Sequence, residues 1–434
     1  MAKLPASQRL DQALARIADP LGEGQRCFTR VYEAGARAAA QAADARARLG
    51  VSLGPLDGVI VSIKDLFGVA GEPTMSGSPS YANAAPQRED AVIVRRLRQA
   101  GAVIIGRTNM TELAFSGIGI NRHYGTPGNA ADRARIPGGS SSGAAVSCAD
   151  GMCEIAIGSD TGGSVRVPSA LNGLVGFKPT KARVSCEGAM PLSWTLDSVG
   201  PLTRSLRDAA AADAVMAGEA ARPLTPRPPR GMRLGVARGR LLEELEPAVA
   251  SAFARALTQL GKAGAALIDF DMEPHLERID AFHADGTIAA VEAAAAHAAV
   301  LSLEPRTIDP FVVRRIGANS QVSGPRFARM LEERRLAVEL AREALAPFDA
   351  VIMPTTPVAA PLLAPLMEDF DAFLRTNTLV LRNCAPFNIL DCCAVSLPLA
   401  GAGLLPVGLQ LIGAPGSDHV LLDVAAGVEA MLCA

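Results

Sequence analysis

The chain repeats one local order on both sides of a proline-rich break, and that repetition limits its fold more than any other feature. Residues 59–63 are a short apolar run, residues 91–100 carry apolar side chains at helical spacing, and residues 102–106 are a second apolar run. The order resumes with a small-residue helix over residues 142–149, an apolar run at 154–158 and a helical stretch at 165–171. Residues 222–230 (RPLTPRPPR) then place four prolines in nine positions, which excludes a helix interior or a central strand and marks a linker. Beyond it the pattern predicts a strand at 232–236, a helix at 248–261 and a strand at 265–270. Strands at 350–353, 394–398 and 407–412 follow, with helices over 279–301, 326–346 and 419–432. Short apolar runs alternating with helices predict an α/β fold, a mixed and mostly parallel twisted sheet covered by helices on both faces. Two helices, at 8–18 and 29–49, are predicted within an N-terminal helical segment, residues 1–50, outside the sheet. Because residues 231–434 return to the same pattern, one sheet fed by both halves is expected, giving a single domain over 1–434.

Charge and composition narrow the function. With 42 basic and 44 acidic residues the chain has a formal net charge of −2, too little positive charge to neutralise a nucleic acid or an anionic membrane. An aromatic content of 4% supplies few platforms for stacking bases or sugars, which leaves a small or aliphatic ligand. The eight cysteines show no paired C-x-x-C spacing, so neither a zinc site nor a disulfide framework is expected, and no metal or cofactor. No signal-peptide core and no apolar run of membrane-spanning length occur, so a cytoplasmic location is expected.

Three segments have a composition that packing does not explain. Gly138-Gly139-Ser140-Ser141-Ser142-Gly143 has no apolar side chain and runs directly into an alanine-rich helix. Gly158-Ser159-Asp160-Thr161-Gly162-Gly163-Ser164 again leads into a helix, and Lys64 closes an apolar strand. A glycine-rich approach to a helix N-terminus presents unpaired N–H groups to negative charge, including the oxyanion of acyl transfer. A solvated turn and a surface lysine are the plain alternatives, and the Walker pattern for phosphate is absent. Gly139-Ser140-Ser141-Ser142-Gly143 also satisfies G-x-S-x-G, the elbow of an α/β-hydrolase-type esterase with Ser141 as nucleophile. That elbow must follow a buried strand, whereas residues 131–137 are polar and end in proline. A histidine base is hard to place among His123, His275, His283, His297 and His419, which leaves Lys64 as the candidate base.

Taken together, PLDGVIVSIKDLF, RTNMTELAF, IPGGSSSGAAV, GSDTGGSVRVPSALNGLVGFKPT, LDSVGPLTRS and LPVGLQLIG resemble the amidase signature family of Ser–cis-Ser–Lys hydrolases, most densely over residues 54–206. The resemblance implies an amidohydrolase that cleaves the C–N bond of a carboxamide through an acyl-enzyme on Ser164. It implies that Ser140, on a cis peptide, bridges Ser164 to the base Lys64, and that N–H groups of Thr161, Gly162, Gly163 and Ser164 form the oxyanion hole. Ser142, Asp160 and Arg166 are expected to support that network, with Asp160 and Arg166 paired. The family also contains the glutaminase component of the tRNA-dependent amidotransferase, from whose pattern this chain departs at GGSSSGAA and SVRVPSA. The implied substrate is a small amide, acted on by a possible homodimer. Arg314, Arg315 and Asn319 read first as a solvated helix face, with a carboxylate-binding role in the pocket as the alternative.

Overall fold

The computed structural model describes residues 4–303, 307–399 and 405–432; the outermost residues of the expected 1–50 and 231–434 segments lie outside it. Its strands are β1 (Phe28–Val31), β2 (Ile60–Lys64), β3 (Val103–Thr108), β4 (Ile155–Asp160), β5 (Val175–Lys178) and β6 (Ser198–Thr203), followed by β7 (Arg233–Arg238), β8 (Ala266–Asp271), β9 (Ala350–Pro354), β10 (Cys393–Leu399) and β11 (Val407–Gly413). All belong to one sheet in the order β1-β3-β2-β4-β6-β5-β10-β11-β9-β7-β8. The strands before and after the proline-rich segment meet where β5 pairs with β10.

The central strands are apolar on both faces, as strands covered on both sides require. Ile60, Val103, Ile105 and Ala156 pack under the helices Ala6–Ala18, Glu33–Arg48 and Ser142–Ala149. Val61, Ile63, Ile104, Ile155 and Ile157 alternate to the other face, against Val94, Leu97, Ala212 and Met216. In the second half Leu234, Ile352, Val395 and Leu409 pack against the helices Pro247–Lys262 and Asp418–Leu432. The proline-rich segment has no helix or strand and is held along the last helix, Arg227 N donating to Asp423 O and Arg222 pairing with Asp423. Among the described residues no helix is long and apolar enough to cross a membrane.

The α/β class and the single mixed sheet are as expected, but the share of parallel pairing is lower. Only β2 with β3, β2 with β4, β7 with β8 and β7 with β9 run parallel; the other six pairings are antiparallel. Part of the cause is that β5 leads to β6, and β10 to β11, with no helix between, so each pair turns back antiparallel in the middle of the sheet. The helix predicted over 29–49 is two elements, since Phe28–Val31 joins the sheet edge as β1 before the helix begins at Glu33. The helix predicted over 279–301 is broken at Gly286, whose φ of +147° no helix accommodates, and Thr287 caps the next helix through Ala290 N.

Candidate active site

Strands β2 and β4 are parallel neighbours in register at Ile63 and Ile157, so their C-terminal ends emerge side by side. This brings Lys64 beside the turn that follows β4. Lys64 is fully buried, and its Nζ donates to Ser140 Oγ at 2.7 Å and to Ser159 Oγ at 2.8 Å. Burial pushes its amine down to about 7, while the charges of Asp197 and Asp160 pull it the other way. Such an amine accepts a proton at neutral pH. Ser140 lies in the loop before the helix Ser142–Ala149, and the Gly139–Ser140 peptide is cis. Among the described residues the Ser164 hydroxyl has no hydrogen-bond partner; it faces a cavity, while the Ser164 carbonyl accepts from Ser141 N at 3.3 Å.

Asp160 organises the turn between β4 and the helix Arg166–Leu171. Its carboxylate accepts from Gly163 N (2.8 Å) and Val165 N (3.1 Å) and pairs with Arg166 at 2.9 Å, both side chains being 0% exposed. Burial alone would raise the Asp160 pKa, but the Arg166 guanidinium holds it well below the usual carboxylate range. Arg166 is held in turn by Gln410 Oε1, Asn388 Oδ1 and Cys384 O from the second half of the chain. The N–H groups of Thr161, Gly162 and Ser164 donate to no described residue and stay available to an oxyanion. Gly163 differs from expectation because its N–H is occupied by Asp160. Its lack of a side chain also has a packing cause: at φ +128° a Cβ would lie 2.7 Å from Cys384 Cβ. Ser142 does not join the network either. It opens its helix, and its Oγ is buried without a partner.

The cavity in front of Ser164 is about 620 Å³ and is lined by Leu192, Leu196, Ile279, Leu381 and Ile389 besides Thr161 and Gly162. Three arginines also line it: Arg240, which pairs with Glu273 and Asp280; Arg382, which donates to Leu241 O and Glu243 O; and Arg315. The Arg315 guanidinium donates to Phe115 O and lies 4.7 Å over the Phe115 ring, and no carboxylate of a described residue pairs with it. Burial pushes Arg315 down to about 10. Arg314 and Asn319 are exposed, so the expected solvated face holds for them and not for Arg315. Ser141 is buried, donates to Ser159 O at 3.3 Å and follows an irregular loop instead of a strand, which removes the elbow reading. His283 reaches the cavity, but burial pushes it down to about 4. No cluster that could hold a metal occurs among the described residues.

Residues 11–422 match the Amidase family. The chain belongs to that family. It is 37% identical to a 2-amino-5-chloromuconic acid deaminase of Comamonas testosteroni, over 92% of this chain and 86% of the relative. It is also 34% identical to a glutamyl-tRNA(Gln) amidotransferase chain of Anaeromyxobacter sp. (strain K), over 98% of this chain and 93% of that one. A solved amidase structure superposes with a TM-score of 0.88 at 35% identity, covering 99% of this chain and 96% of the other. The chain is thus a hydrolase of amide C–N bonds, as its motifs imply. Within this amidase, sequence reasoning missed Ser159, Asp197, Asn388 and Gln410. Ser159, Asp197 and Gln410 lie inside motifs already quoted, but with no role given to them; Asn388 lies outside every motif, and only the folded sheet brings it to the site.

Proposed function

We propose that this amidase hydrolyses a small amide that carries a carboxylate, with Ser164 as the acylated nucleophile and Ser140 and Lys64 as its proton relay. The observation that carries the relay is the buried Lys64 amine, 2.7 Å from Ser140 Oγ and lowered to about 7. Ser164 Oγ attacks the carbonyl carbon as its hydroxyl, unpartnered in the structure, turns to Ser140 and passes its proton there, while the Ser140 proton passes to Lys64 Nζ. The oxyanion is held by the free N–H groups of Thr161, Gly162 and Ser164. The relay then runs backwards to protonate the nitrogen, the C–N bond breaks, and ammonia or an amine leaves an ester on Ser164. Water, deprotonated along the same path, releases the carboxylic acid.

The substrate carboxylate is assigned to Arg315, a cation in the Ser164 cavity with no acidic partner among the described residues. An unpaired charge is costly to bury, and an anionic ligand offsets that cost. The relative named for 2-amino-5-chloromuconic acid acts on an acid by its name, which supports this choice. The similarity to the glutamyl-tRNA(Gln) amidotransferase chain supports a second reading, a glutaminase feeding a partner, since glutamine is itself an amide with a carboxylate.

Intact-mass spectrometry after a serine-directed fluorophosphonate tests the relay. A single adduct is expected on the wild type, lost in Ser164→Ala, slowed in Lys64→Ala and retained in Ser141→Ala; an adduct that survives Ser164→Ala refutes the assignment. Ammonia release from a panel of carboxylate-bearing amides, their methyl esters and glutamine tests the substrate. Arg315→Met is expected to lower kcat/KM about 10- to 100-fold for acids only. An equal loss on the methyl esters refutes the role of Arg315, and glutamine as the preferred substrate favours the second reading.

A further inference from the structure

Between the cavity of Ser164 and a second, separate one stands a wall formed by residues 190–199. Leu192 and Leu196 face the first cavity, while Ser193 and Asp197 face the second, of about 380 Å³. Ser159, which accepts from Lys64, lines that second cavity as well. The register of the sheet explains the meeting. β4 and β6 pair antiparallel with Asp160 opposite Ser198, so one step beyond the ladder Thr161 stands opposite Asp197. There the Thr161 hydroxyl donates to Asp197 Oδ1 at 2.5 Å, and Leu192 N and Ser193 N donate to Oδ2 at 2.9 and 3.1 Å.

We propose that Asp197 is a positioning residue for this amidase, fixing the oxyanion turn through the Thr161 hydroxyl and acting by its charge on Lys64. The inference rests on the assignment of Ser164 and Lys64 above. A purely structural carboxylate, capping the turn at residues 192–193, would use the same backbone contacts, so the charge effect is what separates the two.

The groups that face this pair are few. The charges of Asp197 and Asp160 act on Lys64, and Asp160 is paired with Arg166. Asp65, next to Lys64 in the chain, faces Arg107 at 3.6 Å. Asp197 lines the second cavity with Ser159, the partner of Lys64; its carbonyl accepts from Cys186 Sγ at 3.6 Å, and Lys181 lines the same cavity. Burial pushes Asp197 up to about 6, so it is largely ionised where Lys64 loses its proton. Its negative charge favours the protonated amine. Removing that charge therefore moves the deprotonation of Lys64 to lower pH.

The rate of Ser164 labelling by the fluorophosphonate, followed from pH 5 to 9 by intact mass, tests this. The wild-type rate is expected to rise with a midpoint near 7. In Asp197→Asn the midpoint falls by about one pH unit. Asp197→Glu, which keeps the charge, and Thr161→Val, which loses only the hydroxyl, are expected to keep the wild-type midpoint with a rate reduced several-fold at every pH. An unmoved midpoint in Asp197→Asn overturns the inference. A fallen midpoint in Asp197→Glu or Thr161→Val does so too, and those two arms decide the matter should Asp197→Asn not fold. Wild type left unlabelled at Ser164 sinks the functional assignment and this inference together, whereas normal labelling with an unmoved midpoint sinks the inference alone.

Discussion

Replacing Lys64 by methionine is expected to abolish hydrolysis and to stabilise the fold at neutral pH. In the unfolded chain the amine keeps its proton up to about 10.5; in the folded chain burial makes it release the proton at about 7. At about 1.4 kcal/mol per pH unit, holding this amine in the core costs roughly 4–5 kcal/mol at pH 7 and below. Methionine fills similar volume without that cost but leaves the Ser140 and Ser159 hydroxyls without their partner, at about 1 kcal/mol or more each. The net gain is about 1–3 kcal/mol at pH 7. Between pH 7 and 10.5 the unfolded wild type binds more protons than the folded one, so wild-type stability rises with pH and the advantage of the variant shrinks. Urea unfolding followed by far-UV circular dichroism at pH 7, 8 and 9 measures this, since comparing variants cancels every titrating group they share. A difference between variant and wild type that stays flat or grows from pH 7 to 9 would refute the reasoning.

Asp160→Asn leaves Arg166 charged and buried without its counter-ion, and a loss of about 3–5 kcal/mol in unfolding free energy is expected from the same urea titration. Gly163→Ala forces a side chain into φ +128° against Cys384; a loss of about 1–3 kcal/mol is expected, together with slower fluorophosphonate labelling. His283→Gln is expected to leave the acid limb of the labelling profile in place, because His283 is held near 4 and is neutral throughout; a shifted limb would make it the base after all.

The residues with the strongest chemistry were legible in the sequence because their neighbours are so poor in packing groups. Ser140 and Ser164 each sit in a glycine- and serine-rich loop that runs into a helix, and Lys64 closes an apolar strand where a charge is out of place. β6 was not legible because Ser198-Val199-Gly200-Pro201 breaks the usual composition of a strand, although it lies between β4 and β5. Gly200 is required there, since a Cβ would fall 1.9 Å from Phe177 O. β1 was hidden by its brevity and by the helix that follows at once. Asp197 lies in the quoted LDSVGPLTRS, but its place opposite Thr161 comes from the pairing of β4 with β6, which the motif itself does not report.

The embrace of Arg166 by Asn388 and Gln410 has a consequence for how the chain matures during synthesis. Lys64, Ser140 and Ser164 leave the ribosome long before those two residues do, yet the guanidinium that braces the turn has its amide partners only after β10 and β11 have been made and paired. Until then β5 is an open edge of the sheet, and Arg166 has only Asp160 to hold it. A nascent chain arrested before Asn388 would thus carry the side chains proposed for the relay and still lack two of the groups that hold Arg166. On the proposed roles, the turn beside Ser164 is fully braced only once the last strands are in place.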